Sequence, residues 1–429
     1  MHEKLDTFAP KGVYLGLPTS YPGSEPPPEQ PLLRILYVSH SFPLPGDPLS
    51  NVGGMQRLAQ GQFAALAEHP AVEMHSLLLE TSWKSTPYRM PGYMARLLWQ
   101  IPSIVKREKI DVVLHSSMVT ASLTPTMAGA IHKAGAIVAA VPVGRDVTLP
   151  TIGYQWYVRR VLRSLDAVFP ISRATAHECL QRGLPPSRMH VVPCGVDGAL
   201  FNAPRDRRAA RRELLRAIGE SPRTIADDAL ILVSVGRHQE RKGFAWFTDK
   251  VMPRLPQDVV YLITGEGPMT PRIQDAIDRH GLHGRVRMLG KVPEEMLGRL
   301  YRGADLFVMP NIHVKGDIEG FGVVMLEAGM CGMPVLAADL EGISDVVREG
   351  ENGHLVASED ADAFAERVMR YRGSRELVAD ASRSAALYTA RHFSWPAIAD
   401  RYVRLLQQQL GTTTTTTGTV PAELARAAG

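Results

Sequence analysis

Short, almost unbroken apolar runs recur along this chain, and helical stretches fall between them. LLRILYVSH at residues 32–40 precedes NVGGMQRLAQGQFAALAEH, in which Met55, Leu58, Phe63 and Leu66 repeat at helical spacing. VEMHSLLLE, DVVLHSS, AIVAAVPVG, LDAVFPIS and MHVVPCGVD continue the series as strands. A strand with one wet face alternates apolar and polar residues, whereas a run that is apolar throughout needs cover on both faces. The alternation therefore predicts an α/β fold: a parallel sheet with helices on both sides. After the basic, proline-flanked stretch FNAPRDRRAARRELLRAIGESPRTIADD the series starts again with LILVSVGR, VVYLITGEG, RVRMLG, ADLFVMP, PVLAAD and GHLVA.

The predicted organisation is two tandem doubly wound, Rossmann-like domains, residues 32–203 and 204–393, followed by an amphipathic helix over 394–410 (FSWPAIADRYVRLLQQQL). The 429-residue length fits two such units. Residues 1–31, with PGSEPPPEQP, read as a disordered leader, and 411–429, with GTTTTTTGTV, as a disordered tail. Sheets of this kind bind ligands at the carboxyl ends of their strands, so two facing domains make one cleft.

Composition narrows the partners. A net charge of +4 is too small an excess to argue for nucleic acid. The three cysteines, Cys179, Cys194 and Cys331, have no metal-ligand spacing and fit a reducing cytoplasm. No signal-like leader and no apolar run of about 18 residues is present, which predicts a cytoplasmic protein without a spanning helix.

Three motifs lie at predicted strand ends. In SVGRHQERKG, Gly236 makes the turn, and Arg237 and Lys242 follow it beside an approaching helix N-terminus. Such a loop is either ordinary solvated charge or a diphosphate site built from cations and amides. In LITGEG, Gly265 and Gly267 permit close backbone approach, but the third glycine and the acidic partner of a dinucleotide fingerprint are missing. In GDIEGFGVVMLEAGMCG, Glu319 precedes a short helix and Glu327 lies inside it. Either Glu319 caps the helix and Glu327 is exposed, or the two acids and the amides of Phe321, Gly322 and Val323 cradle a ligand. That ligand would carry sugar hydroxyls, a phosphate and ribose hydroxyls.

Together these motifs resemble the family 4 glycosyltransferases, retaining enzymes of GT-B fold, over residues 33–408. The resemblance is most specific in SVGRHQERKG, RVRMLGKVPEEMLGRLYRGADLFVMPN and EGFGVVMLEAGMCGMPVLA; GGMQR, ISRATAHECLQRGLPPSRMHVVPCGVD and FSWPAIADRY match more weakly. It implies that Arg237 and Lys242 hold the diphosphate of a UDP- or GDP-sugar, that Glu319 faces the transferred sugar, and that Glu327 takes the ribose. It also implies a base held near Lys291 and Val292, with Gly265 and Glu266 nearby. Gly236 and Gly320 line the same donor site, Gly53 and Gly54 approach the phosphate from the first domain, and the last helix crosses back onto that domain. No metal cofactor is implied, because the cations and the helix N-terminus do the neutralising.

One departure from the family pattern is visible. Val143 stands where the family usually has histidine, and Arg145 or Asp146 is the expected substitute. His115, at the end of VVLH, is expected to face the cleft as an acceptor or sugar contact, or to be structural. The acceptor is a saccharide, a lipid-linked saccharide or a small molecule. The basic, aromatic stretch YRMPGYMARLLWQIPSIVKREK is either a core helix with basic ends or a peripheral membrane contact. Likewise the arginines 205–216 form a solvated face or a membrane patch. A nucleotide-sugar epimerase, a sugar-phosphate synthase and a non-catalytic nucleotide-sugar-binding protein are the alternative functions.

Overall fold

The apolar runs form strands because β-branched and large apolar residues fit a pleated layer covered on both faces. The computed structural model describes residues 32–417 apart from 48–53, 150, 200, 205, 221–224, 227, 316 and 318. In the first domain, strands β1 (Leu33–Phe42), β2 (Val72–Glu80), β3 (Val112–His115), β4 (Ile137–Ala140) and β5 (Ala167–Val168) form one sheet in the order β2-β1-β3-β4-β5. Seven helices accompany them: α1 (Gly54–Ala67), α2 (Thr86–Arg107), α3 (Met118–Ala121), α4 (Thr124–Lys133), α5 (Arg145–Thr148), α6 (Ile152–Arg163) and α7 (Arg173–Gln181). Helix α8 (Arg207–Ala217) follows, its first turn capped by the Asp206 carboxylate, which accepts from the Arg208 and Ala209 amides.

The second sheet has the order β11-β10-β9-β6-β7-β8. Its strands are β6 (Leu230–Val235), β7 (Val259–Thr264), β8 (Val286–Met288), β9 (Leu306–Met309), β10 (Val335–Ala338) and β11 (Gly353–Val356). Its helices are α9 (Phe244–Lys250), α10 (Thr270–Arg279), α11 (Glu294–Gly303), α12 (Val323–Met330), α13 (Ala361–Arg372) and α14 (Arg375–Phe393). The final helix is α15 (Trp395–Thr417). The paired strands of both sheets are parallel.

Three apolar clusters fill the layers. One lies under α2, α4 and α6 on the outer face of the first sheet (Leu36, Val113, Leu97, Ile131, Val161). Another lies under α9, α10 and α13 on the outer face of the second (Leu232, Tyr261, Phe247, Ile273, Phe364). The third is continuous between the domains, from Ile35, Leu58 and Phe169 to Tyr301, Leu326 and Val335. Helix α15 belongs to it through Ile398, Tyr402 and Leu406, and packs on α1. Its Trp395 sits so close to Gly61 and Gly195 that a Cβ at either would lie 2.2 Å or 2.4 Å from the indole. The Val196 amide donates to the Phe393 carbonyl at the same crossing.

Two sequence expectations need correction. MHVVPCGVD is not a sixth strand: Met189 makes one isolated bridge with Val168. His190 and Val192 donate to the Val168 and Pro170 carbonyls, and then Pro193, without an N–H, ends the ladder. The last helix does not stop at 410 but runs into the threonine tract as far as Thr417. The leader 1–31, most of the tail, Gly53 and Arg205 lie outside the described residues.

Candidate active site

Parallel strands β6, β7 and β8 end together, and the loops beyond them build the site. The turn after β6 is tight because the turn after β7 presses on it. Gly265 has φ +104°, and a Cβ there would lie 2.0 Å from the Gly236 carbonyl oxygen. Its amide donates to the Gly290 carbonyl at 2.7 Å, which draws the segment after β8 alongside. Lys291 and Glu266 meet on the outside of this edge at 3.6 Å, both exposed, with Val292 next to them.

The loop after β6 turns back over Gly236, and Lys242 passes 3.6 Å from the position a Cβ of Gly236 would take. The Lys242 Nζ lies 2.5 Å from Glu319 Oε2. Arg241 donates to the same oxygen, and Asn311 Nδ2 approaches it at 3.3 Å. Glu319 is 8% exposed and Glu327 is 3% exposed, so neither acid is solvated. Burial raises the Glu319 carboxyl, but Lys242 and Arg241 outweigh it and hold the group below the usual glutamate range. Lys242 shows the opposite balance. Its burial lowers it, Glu319 only partly restores it, and Arg241 and Arg237 push it down again. Two cations thus share one buried carboxylate, and Arg241 also reaches the exposed Asp317 at 3.1 Å. Arg237 itself is exposed and makes no ion pair with the described residues.

Helix α12 starts beyond this carboxylate. No side chain caps it, and the amides of Phe321, Gly322 and Val323 donate to no described acceptor. The Phe321 side chain is turned into the interdomain core. Glu327, one turn into the helix, accepts from the Tyr301 hydroxyl at 2.9 Å and from Arg57 Nη1 of α1 at 3.0 Å. Burial pushes the Glu327 carboxyl above its ordinary value against the pull of Arg57 and Tyr301. Glu319 is further braced by Glu341, whose carboxylate accepts from the Glu319 amide.

The first domain closes the cleft from the other side. Gly54 opens α1, and a Cβ there would meet open space. The loop after β4 approaches the Glu319 loop: a Cβ on Gly320 would lie 3.5 Å from the Val143 carbonyl oxygen. Arg145 is exposed in this loop.

The structure corrects the expectation for two neighbours. The Asp146 carboxylate is used internally, accepting from the amides of Met118, Val143 and Gly144 at 3.1, 2.9 and 3.0 Å. It ties the loop after β3 to the loop after β4, so both of its oxygens are engaged by backbone amides. His115 does not face the cleft; it is fully buried in β3, both ring nitrogens lack a hydrogen-bond partner, and burial lowers its pKa to about 3.

Sequence reasoning missed Arg241, Asn311, Tyr301, Glu341 and Arg57. Arg241 adjoins Lys242 in the quoted ERKG, and Arg57 closes the quoted GGMQR, so both were within the motifs. Tyr301 and Asn311 carried no signal beyond their place at an apolar run. Among the described residues, no group of three or more His, Cys, Asp or Glu is placed to hold a metal ion.

Comparison with known proteins gives this geometry a family. A profile described as Glycosyltransferase Family 4 matches residues 63–199, and one described as Glycosyl transferases group 1 matches residues 229–372. A D-inositol 3-phosphate glycosyltransferase of Geodermatophilus obscurus is 34% identical over 232 residues, 52% of this chain and 47% of that protein. A GDP-mannose-dependent alpha-(1-6)-phosphatidylinositol monomannoside mannosyltransferase of Mycolicibacterium smegmatis is 31% identical over 247 residues, 55% of this chain and 59% of that one. These matches span about half the length of the two relatives. The crystal structure of Anabaena HepE in complex with UDP aligns with a TM-score of 0.66 at 17% identity, covering 87% of this chain and 100% of that one. With a glycosyltransferase profile matched in each domain and a neighbour of the same two-domain fold aligned along its whole length, the chain belongs to the family 4 glycosyltransferases of GT-B fold.

Proposed function

We propose that this protein moves a sugar from a UDP- or GDP-sugar to a hydroxyl of a saccharide or lipid-linked acceptor, with retention of anomeric configuration. The observation that carries this reading is the cluster of cations at the end of β6, one of them unpaired. Arg241 and Lys242 pair there with the buried carboxylate of Glu319, Arg241 also with the exposed Asp317, and Arg237 beside them has no ion-pair partner among the described residues. A donor diphosphate supplies the missing negative charge, and the unpaired amides before α12 add donors in the same direction. Glu319 then accepts hydroxyls of the transferred sugar, and Glu327 those of the ribose.

In the reaction the bond from the sugar's anomeric carbon to the phosphate oxygen breaks, and the pair of electrons leaves with the diphosphate. The acceptor hydroxyl adds to the same face, and its proton passes to the leaving phosphate. The cations stabilise the charge that develops on that phosphate. This route asks for no metal ion and no enzymic nucleophile. The test is product analysis by NMR after incubation with a nucleotide sugar and acceptor in EDTA. The expected result is undiminished turnover and a retained anomer; an inverted anomer overturns the reading.

The lipid-linked acceptor class is favoured by the outer face of the first domain. Helices α2, α4 and α6 lie side by side there and contain no aspartate or glutamate. They carry four, one and three lysines or arginines respectively, and Tyr88, Trp99 and Trp156 are 86%, 65% and 67% exposed. Aromatic rings and cations on helices that themselves carry no acid suit the interface of an anionic bilayer, and the neighbouring Glu108 and Asp166 are bonded to Arg107 and His132. The mycolicibacterial relative's name, which includes a phosphatidylinositol mannoside, agrees with this class. No helix among the described residues is long and apolar enough to cross a membrane. Flotation with liposomes containing anionic lipid, lost in Trp99→Ala/Trp156→Ala, is the expected outcome; equal flotation of the double variant removes the membrane from this reading.

A further inference from the structure

The amino ends of β6 and β9 lie at the opposite edge of the second sheet from the donor site. A cavity of about 690 Å³ opens there between α8 and α14. Its wall carries Arg207, Arg208, Arg211 and Arg212 from one helix and Arg375 from the other, facing Asp228 and Asp305. The six residues of β6 separate it from Gly236 by about 20 Å.

Among the described residues the charges in this cavity do not balance, with five arginines against two aspartates. Asp305 is consumed by Arg211 at 2.6 Å, by Arg375 at 3.2 Å and by the Ile231 amide at 2.8 Å. Arg207 makes no ion pair with a carboxylate among the described residues. Its guanidinium donates to the Gly332 and Ala304 carbonyls and to the Ser382 hydroxyl, all neutral partners, and only Asp305 acts on its charge from a greater distance. Burial lowers its pKa, Asp305 opposes the change, and the neighbouring Arg211 and Arg375 add to it. Buried Arg211 has a second, independent deficit: its Nη1 has no hydrogen-bond partner. The side chains of Arg208 and Arg212 are exposed at the mouth and make no hydrogen bond or ion pair with the described residues.

A run of arginines on a helix is usually a solvated face, and solvation needs no cavity, no buried guanidinium and no shared carboxylate. Folding several guanidiniums against each other costs free energy that an anion in the cavity would recover. We propose that this cavity is a second anion site, which binds a phosphate-bearing small molecule independently of the donor site. The planar forks of Arg208 and Arg212 present paired N–H donors that match phosphate oxygens, and the inner arginines supply the field. The site does not depend on the donor reading, since it shares no residue with it.

The test is calorimetric titration of the full chain with inorganic phosphate at fixed ionic strength. It uses Arg237→Ala to weaken the donor site, and the same protein with Arg208→Gln and Arg212→Gln added. These two substitutions remove exposed charges and leave the Arg211–Asp305 pair in place, so an unchanged thermal melt in the absence of phosphate is expected. Saturable phosphate binding by Arg237→Ala, weakened about tenfold or more by the added glutamines, is the expected result, equivalent to about 1.4 kcal/mol or more. No saturable binding by Arg237→Ala, or equal affinity in the triple variant, overturns the proposal. A parallel arm measures binding to phosphatidylglycerol vesicles. Vesicle binding unchanged by Arg208→Gln/Arg212→Gln supports a free phosphate compound, and its loss overturns that in favour of a lipid headgroup.

Discussion

Lys242 and Glu319 make a buried ion pair whose two halves are not equally content. The carboxylate has Lys242, Arg241 and Asn311 around it, while the ammonium shares its one carboxylate with another cation. Removing one partner of a buried pair leaves a charge without water or counter-ion, at a cost of about 3–5 kcal/mol. Glu319→Gln should therefore lower stability by that order at pH 7 as well as lowering the transfer rate. The sign of the pH effect follows from the depressed carboxyl of Glu319. A group whose folded pKa lies below its unfolded value contributes stability above the unfolded value and loses it as pH falls through the folded one. The gap between wild type and Glu319→Gln in urea unfolding should thus be full at neutral pH and shrink as pH drops below the ordinary value of 4.5. A gap that is independent of pH would show that the pair contributes nothing as a pair.

At the scale of elements, the chemistry depends on how closely strand ends can approach. The glycines after β6 and β7 are legible in the sequence as turn residues, because strand, glycine and helix follow one another there. What the sequence does not say is that the second turn presses on the first. Gly265→Val would place a branched side chain at φ +104° and 2.0 Å from the Gly236 carbonyl oxygen, so the backbone of both turns must move. Strain of this kind costs about 1–3 kcal/mol before the clash is counted. The expected outcome is a lower melting temperature together with donor affinity, by calorimetry, falling at least about tenfold. The failed strand at Met189 has the same lesson in reverse. Its apolar run has strand character, but a sheet edge, a proline and the crossing of Trp395 over Gly195 decide how much of it pairs.

The whole molecule is held by one interdomain core and by ion pairs that span the cleft. Arg57 of α1 reaches Glu327 of α12 at 3.0 Å and Glu294 of α11 at 3.5 Å, while Arg173 of α7 bonds Asp345 near the Glu319 loop. Arg57 therefore links the position of the first domain to the ionisation of the residue proposed to hold the ribose. The buried Glu327 carboxyl already lies above its ordinary value, and loss of Arg57 raises it further. A carboxylate accepts ribose hydroxyls in its charged form, so a higher pKa penalises binding increasingly as pH falls. Arg57→Ala should weaken UDP or GDP binding more at pH 6 than at pH 8, as read by calorimetry at the two pH values. An equal loss at both values would assign Arg57 a purely mechanical part.

The amino-acid sequence by itself determined the layers and the loops. Runs apolar on every residue must be buried on both faces, glycine and proline must end them, and cations or acids placed just past such ends must gather at one edge of a parallel sheet. That Arg237, Lys242 and Glu319 lie at that edge was legible for that reason, while the return of α15 to the first domain was implied by the resemblance. Only the tertiary structure decided which of these groups are spent on each other. Glu319 is neutralised from its own domain, Glu327 from across the cleft, and Asp146 by three backbone amides, while His115 is shut inside its sheet. These outcomes rest on distances of a few ångströms between residues far apart in the chain. Periodicity and spacing report which face a residue takes, whereas partnership depends on the packing of whole domains.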